Sequence, residues 1–144
     1  MKERATNELF NEIKNAKEAD QFMDSMADSF VHRDSAEYLD ELLKIKQVTK
    51  SQVIRLANLS PATGYQYFDG KRNPSRARMI ALGFGFQLSL TEMNTMLKRT
   101  NYAALYAKDE WDALIIFALI QQYDLNQADE LLFQYGLGTI TAEN

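Results

Sequence analysis

The stretch VTKSQVIRLANLSPATGYQYFDGKRNPS, residues 48–75, decides the fold. Thr49 has the side chain of an N-cap and opens an apolar-periodic segment that runs to Asn58, a residue suited to a left-handed backbone. Ser60 is placed to cap a second helix whose first residue is Pro61. The pattern predicts a helix, a tight turn and a second helix with almost no linker between them.

The second helix of this pair, from Pro61 to about Phe68, carries small, hydroxyl and amide side chains on its expected outer face. It ends at Gly70, and the loop of residues 71–74 is basic before Ser75 caps the next helix. A short helix with a protruding polar face, set among basic residues, is suited to a DNA groove.

The rest of the chain also has helical periodicity. Apolar residues recur with a period near 3.6, without the sustained alternation typical of strands, so the sequence predicts an all-α fold. Two amphipathic segments begin near Thr6 and Asp20, and their apolar faces, which include Phe10 and Ile13, are expected to pack into a core. The longest apolar run, residues 113–120, is far shorter than the roughly 20 residues that span a bilayer, and it predicts a buried helix.

Charge is segregated along the chain although the total is only −4. Residues 1–43 carry a net charge of −6, residues 44–99 carry +8, and residues 100–144 carry −6. Such a basic block is an electrostatic footprint for phosphate. The alternative is that these cations lie on solvated helix faces and pair with the acidic flanks.

Residues 48–60 and 65–75 resemble the scanning helix, turn, recognition helix and glycine-basic-x-Pro-Ser loop of the lambda-repressor-like (XRE-type) helix-turn-helix family of bacterial and phage regulators. The segment GKRNPS, residues 70–75, is the most specific element. The chain is also similar to small regulators of low-GC Gram-positive bacteria in which this domain carries extra helices. We therefore expect an acidic N-terminal helical extension at 1–34, a helix-turn-helix DNA-binding domain at 35–97 and a C-terminal helical subdomain at 98–144.

The resemblance implies a DNA site with two kinds of residue. Gln66 is suited to adenine, Ala62 to a thymine methyl group, and Tyr65 to a base or a phosphate. The implied base-reading residues are Pro61, Ala62, Tyr65 and Gln66, and the implied phosphate-binding residues are Lys50, Lys71, Arg72 and Arg76. Lys71 and Arg72 also have a simpler interpretation, as solvated loop residues, and Tyr67 is expected in the core.

Three positions depart from the family pattern, one of them Asn58 in place of the usual turn glycine, which asparagine tolerates in the left-handed region. Ile54 stands where the scanning helix usually has alanine, and Gly64 stands where the recognition helix usually has a large aliphatic residue. In that family both positions face the crevice between the two helices. We therefore expect Ile54 and Gly64 to be neighbours whose exchange of size conserves volume.

The C-terminal part contains an internal repeat, because residues 90–97 and 125–132 both read as a leucine, a cap (Thr91 and Asn126), polar residues and an apolar pair. Between them, the helix expected at Trp111–Gln122 is apolar nearly all round. Such a helix is either core or a partner interface. With Leu131, Leu132, Phe133 and Tyr135 it is our candidate surface for a homodimer, and a purely intramolecular core is the open alternative.

Several classes of function have little support. The sequence has no cysteine and only one histidine, His32, so we expect no metal site or cofactor. Its carboxylate pairs lie among solvated charges and no glycine-rich phosphate loop follows a strand, so we expect no catalytic site and no enzyme. The charged first residues do not resemble a secretory signal, so we expect a cytoplasmic protein without a membrane partner.

The predicted partner is double-stranded DNA. The alternative is a protein-interaction module that keeps the fold without DNA binding, its acidic ends docking an unidentified protein or covering its own basic face.

Overall fold

The computed structural model describes residues 35–142, together with residues 10, 11, 13, 14 and 19. The chain divides into two compact units, Met1–Val31 and His32–Asn144.

The described residues of the first unit are helical. The side chains of Phe10 and Ile13 are exposed, so the expectation that they pack into a core is wrong for these two residues. The predicted caps Thr6 and Asp20, and most of the acidic extension, lie outside the described residues.

The second unit is all-α, as predicted, since residues 35–142 form α-helices and one 3-10 turn without a strand. No helix in the described part of the chain is long and apolar enough to cross a membrane. In chain order the elements are α1 (Ser35–Lys46), α2 (Lys50–Leu56), α3 (Pro61–Asp69), α4 (Arg76–Gly85), α5 (Leu90–Arg99), α6 (Glu110–Ile120), α7 (Leu125–Gln134) and the 3-10 turn Ile140–Ala142.

Four of the connections share one local design, which the turn between α2 and α3 illustrates. Asn58 has a φ of 55°, as the sequence predicted. The next residue, Leu59, is buried and donates its backbone N–H to the carbonyl oxygen of Ile54 at 3.1 Å, and Ser60 then caps α3. This Schellman-type ending followed at once by an N-cap redirects the chain within three residues. The other three such turns begin at Gln47, Gln87 and Gln122.

The predicted N-caps Thr49, Ser60 and Ser75 are confirmed, because each side chain accepts a hydrogen bond from the backbone N–H three residues further on. The caps of the internal repeat lie one residue before its leucines, at Ser89 and Asp124. Thr91 and Asn126, which the sequence suggested, are instead inside the first turns of α5 and α7.

The core of this unit is built around α4, which packs against α2, α5, α7 and the 3-10 turn. Residues 79–85 of α4 are all buried. The glycines of α4 allow α2 and α5 to pack close to its backbone. A Cβ added at Gly85 would lie 3.0 Å from Val53 Cγ1, and a Cβ added at Gly83 would collide with the Met93 side chain. The C-terminal residues therefore share one core with α2 and α4, and Ile140 of the 3-10 turn is fully buried.

Helix α6 is less buried than its apolar sequence predicted. Ile115, Ala118 and Leu119 are buried, but Phe117 and Ile120 are exposed. Helix α6 packs mainly against α7 and to a smaller extent against α5, and these contacts leave Phe117 and Ile120 uncovered. The sequence cannot distinguish an apolar face that meets a neighbour from one that does not.

Candidate nucleic-acid interface

Helix α3 is fixed at both ends by local interactions. The Ser60 hydroxyl accepts from Thr63 N–H at 3.2 Å, and Pro61 occupies the first turn. At the other end Gly70 has a φ of 76°, a left-handed conformation that glycine adopts without steric cost. The inner face of α3 is buried against α1 and α2, and Tyr67 lies in the core as predicted.

The outer face of α3 brings together all four residues that the resemblance implied for base reading. Their spacing of i, i+1, i+4 and i+5 places them on one side of the first two turns. Pro61, Ala62, Tyr65 and Gln66 are all exposed. A nine-residue helix supported from behind, with small and hydrogen-bonding side chains in front, can present these groups to a groove.

Three of the four implied phosphate-binding cations lie around the C-terminal end of α3. The Lys50 ammonium nitrogen stands 5.9 Å from the centroid of the Phe68 ring, a cation–π arrangement that orients the side chain. Lys71 and Arg72 follow Gly70 and are exposed. Within the described part of the chain neither of these two loop cations forms a salt bridge.

Arg76 is placed differently from the prediction, because its guanidinium is engaged within the protein. Nη1 and Nη2 donate to the two carboxylate oxygens of Asp112 at 3.0 and 2.9 Å. Nε and Nη2 also donate to the carbonyl oxygens of Ala103 and Ala104, at 3.1 and 3.3 Å. We therefore remove Arg76 from the candidate phosphate contacts and treat it as part of the support of the site.

Two further lysines of the basic block pair with acids, Lys44 with one in the N-terminal flank, as the alternative interpretation has it, and Lys46 with one inside the block itself. Lys44 pairs with Asp40 at 3.2 Å, and Lys46 pairs with Glu92 at 2.7 Å. The hydrogen bond from Lys46, helped by the backbone N–H of Ser89, lowers the pKa of Glu92. The block is therefore divided: some cations support the fold, while Lys71 and Arg72 are presented beside α3.

Arg55 is a cation that the site prediction missed. It is exposed and lines a cleft of about 590 Å³ beside α3, together with Asn58 and Tyr65. Arg55 lies four residues after Ser51, which also lines the cleft, so both are on the same face of α2. The four-residue spacing between Ser51 and Arg55 is the sequence feature that could have identified Arg55.

The candidate dimer surface carries exposed apolar side chains on α6 and at the end of α7. The side chain of Phe133 is 77% exposed and that of Ile120 is 62% exposed, and Phe117 and Tyr135 are also exposed. Leu132, which we had included in the candidate dimer surface, is fully buried and belongs to the core. No group of three or more His, Cys, Asp or Glu residues that could hold a metal ion occurs among the residues described.

Comparison with known proteins gives no match. No protein-family model fits the chain, and no curated protein or solved structure is significantly similar to it.

Proposed function

We propose that the protein binds duplex DNA sequence-specifically, as a transcriptional regulator, with α3 in the major groove. The observation that carries this proposal is the exposed face of Pro61, Ala62, Tyr65 and Gln66 beside the exposed loop cations Lys71 and Arg72. The nine residues of α3 extend over roughly 14 Å at about 1.5 Å per residue, comparable to the width of the major groove of about 12 Å.

The base-reading residues and the phosphate-binding cations occupy different parts of α3 and its surroundings. Base-reading groups occupy its first two turns, while Lys71 and Arg72 follow its last turn and Lys50 stands over Phe68. Contacts with phosphate fix the register of a protein on DNA, and contacts with base edges supply the sequence preference. The capped turn at Asn58 and the left-handed Gly70 support the further proposal that the chain is a lambda-repressor-like regulator.

The direct test is selection of bound duplex fragments from the host genome with the intact protein, followed by a salt titration on the enriched sequence. We expect one recurring sequence among the bound fragments. About four to six phosphate contacts predict a slope of log affinity against log salt of roughly −4 to −5. Absence of binding to every fragment at low salt would contradict the proposed function.

A protein-interaction role is the second candidate, favoured by the exposed apolar side chains at Ile120, Phe133 and Tyr135. Exposed apolar patches often mark protein contacts. A second copy of the chain is the first partner to examine, because many DNA-binding proteins with this motif bind as two-fold dimers. The two candidates differ in one measurement, since only the DNA-binding protein has salt-dependent affinity for duplex.

A further inference from the structure

The basic loop that follows α3 is attached to the rest of the protein at its C-terminal side. The hydroxyl of Ser35, the first residue of α1, donates to Asn73 Oδ1 at 3.3 Å. The hydroxyl of Tyr102 donates to the carbonyl oxygen of Pro74. The two residues that directly follow Lys71 and Arg72 are therefore hydrogen-bonded to two separate parts of the protein.

The strongest of these attachments is the pair of Arg76 and Asp112. Arg76 is the first residue of α4, directly after the loop, and Asp112 lies in the first turn of α6, 36 residues later. The Asp112 side chain is only 7% exposed, and its Oδ2 also accepts the backbone N–H of Tyr106 at 2.9 Å. Because both oxygens meet two guanidinium nitrogens, the contact fixes orientation as well as distance.

The segment between α5 and α6 joins these contacts. Ala103 and Ala104 accept from Arg76, Tyr102 donates to Pro74, and Leu105 N–H donates to Asn94 Oδ1 at 2.9 Å. The start of α6, this segment and the end of the basic loop thus form one connected hydrogen-bonded group. A buried carboxylate paired with a guanidinium contributes little net stability compared with apolar side chains of similar size, so a role in fixing geometry is the better explanation for this pair.

We propose that Asp112, through Arg76, is a positioning residue for the basic loop, which it holds so that Lys71 and Arg72 face DNA phosphates together. Tyr102 acts in the same group through Pro74. The proposal rests on the proposed DNA-binding function for its purpose, but the attachment of the loop can be measured without DNA.

The test compares Asp112→Asn and Tyr102→Phe with Asp129→Asn in the full-length protein. Asp129 is a matched control, because its carboxylate also accepts hydrogen bonds in the C-terminal part, from Ile140 N–H and the Thr141 hydroxyl, away from the loop. The first measurement is the rate of trypsin cleavage after Lys71 and Arg72 under native conditions. We expect about fivefold faster cleavage in Tyr102→Phe, the factor that one lost hydrogen bond permits, and no change in Asp129→Asn.

The second measurement is the salt dependence of duplex binding. A loop that no longer presents its two cations should reduce the magnitude of the log–log slope by about 1 to 2, since each phosphate contact contributes about 0.9. A merely destabilised but folded protein would keep the wild-type slope. When Lys71 and Arg72 are both already Gln, Asp112→Asn should cause no further loss of affinity.

The outcomes separate the two proposals. Equal cleavage rates and equal salt slopes in Tyr102→Phe, Asp112→Asn and Asp129→Asn would overturn the positioning role. The role would also be overturned if Asp112→Asn still reduced duplex affinity in a protein whose Lys71 and Arg72 are both Gln. If Asp112→Asn does not fold, Tyr102→Phe alone decides. Faster loop cleavage in a protein that binds no duplex would leave the attachment of the loop standing and refute its role in DNA binding.

Discussion

Ile54 fills the space that a side chain at Gly64 would occupy: a Cβ added at Gly64 would lie 2.5 Å from Ile54 Cγ1 and 2.8 Å from Cδ1. Ile54 is itself buried, in the crevice between α2 and α3. The expectation that these two residues touch is confirmed. The packing of one large residue over one with no side chain sets how closely α3 can approach α2.

The first prediction is that Ile54 and Gly64 are energetically coupled. Gly64→Leu alone should destabilise the protein by about 1–3 kcal/mol through overpacking, despite a gain of about 1 kcal/mol in helix propensity. Ile54→Ala alone should cost about 2–5 kcal/mol through the cavity it leaves. The double variant should recover much of both losses in a double-mutant cycle measured by urea unfolding. Additivity within about 0.5 kcal/mol would refute the coupling.

The second prediction concerns base reading by Gln66. Gln66→Ala should weaken binding to the selected sequence by about 1–3 kcal/mol and relax the preference at one base pair, because a bidentate amide–adenine contact is lost. Gln134→Ala, which removes an exposed helical glutamine from the end of α7, is the matched control. Competition binding with single-base variants measures both effects. An unchanged preference in Gln66→Ala would exclude this face of α3 as the reading surface.

The third prediction concerns the loop cations. Lys71→Gln and Arg72→Gln should each weaken all duplex sequences similarly and reduce the magnitude of the salt slope by about 0.9. Lys98→Gln and Arg99→Gln, each made singly, remove the same charge from exposed positions at the end of α5. If these controls change the slope as much as the loop variants do, general charge and not the loop determines binding.

The fourth prediction concerns acid stability. The hydrogen bond with Lys46 holds the pKa of Glu92 below its ordinary value of 4.5, so the folded state favours the ionised carboxylate. This stabilisation is present above about pH 4.5 and is lost as the pH falls through the lowered pKa. Glu92→Gln should therefore reduce the free energy of unfolding at neutral pH, by less than about 1 kcal/mol for so exposed a pair, and the difference should shrink in acid.

Glutamine at position 92 preserves the capping box, as Gln52 and Gln127 do in α2 and α7, so the substitution isolates the charge. Lys46→Gln should reproduce the effect, because it removes the main cause of the lowered pKa. Urea unfolding of the three proteins between neutral and acidic pH measures it. A difference that is constant with pH would show that the ionised pair is not its cause.

The fifth prediction concerns self-association through the exposed C-terminal surface. We expect the wild-type chain to sediment as a dimer at micromolar concentration and Phe133→Glu to sediment as a monomer, because the charge cannot be buried in an apolar contact. Tyr106→Glu, at an exposed aromatic residue elsewhere in the chain, should leave the dimer intact. If the wild-type chain sediments as a monomer, self-association is excluded, and the exposed apolar residues would then bind a different protein.

Much of the helix-turn-helix region was predictable because its determinants are local. The caps Thr49, Ser60 and Ser75 each bond a backbone N–H three residues away, and Asn58 and Gly70 decide their own backbone conformations. These interactions need no distant partner, so the residue types alone predict them. The exposed outer face of α3 followed from the same local pattern.

Only the tertiary structure decided the role of Arg76 and the burial of the apolar helices. A basic residue after a basic loop is equally suited to a phosphate or to a carboxylate, and the carboxylate of Asp112 comes from 36 residues away. Helices α4 and α6 both carry a long apolar run, but residues 79–85 of α4 are all buried while α6 leaves Phe117 and Ile120 exposed. Periodicity shows which residues can be buried, and the packing of neighbours from elsewhere in the chain determines which of them are.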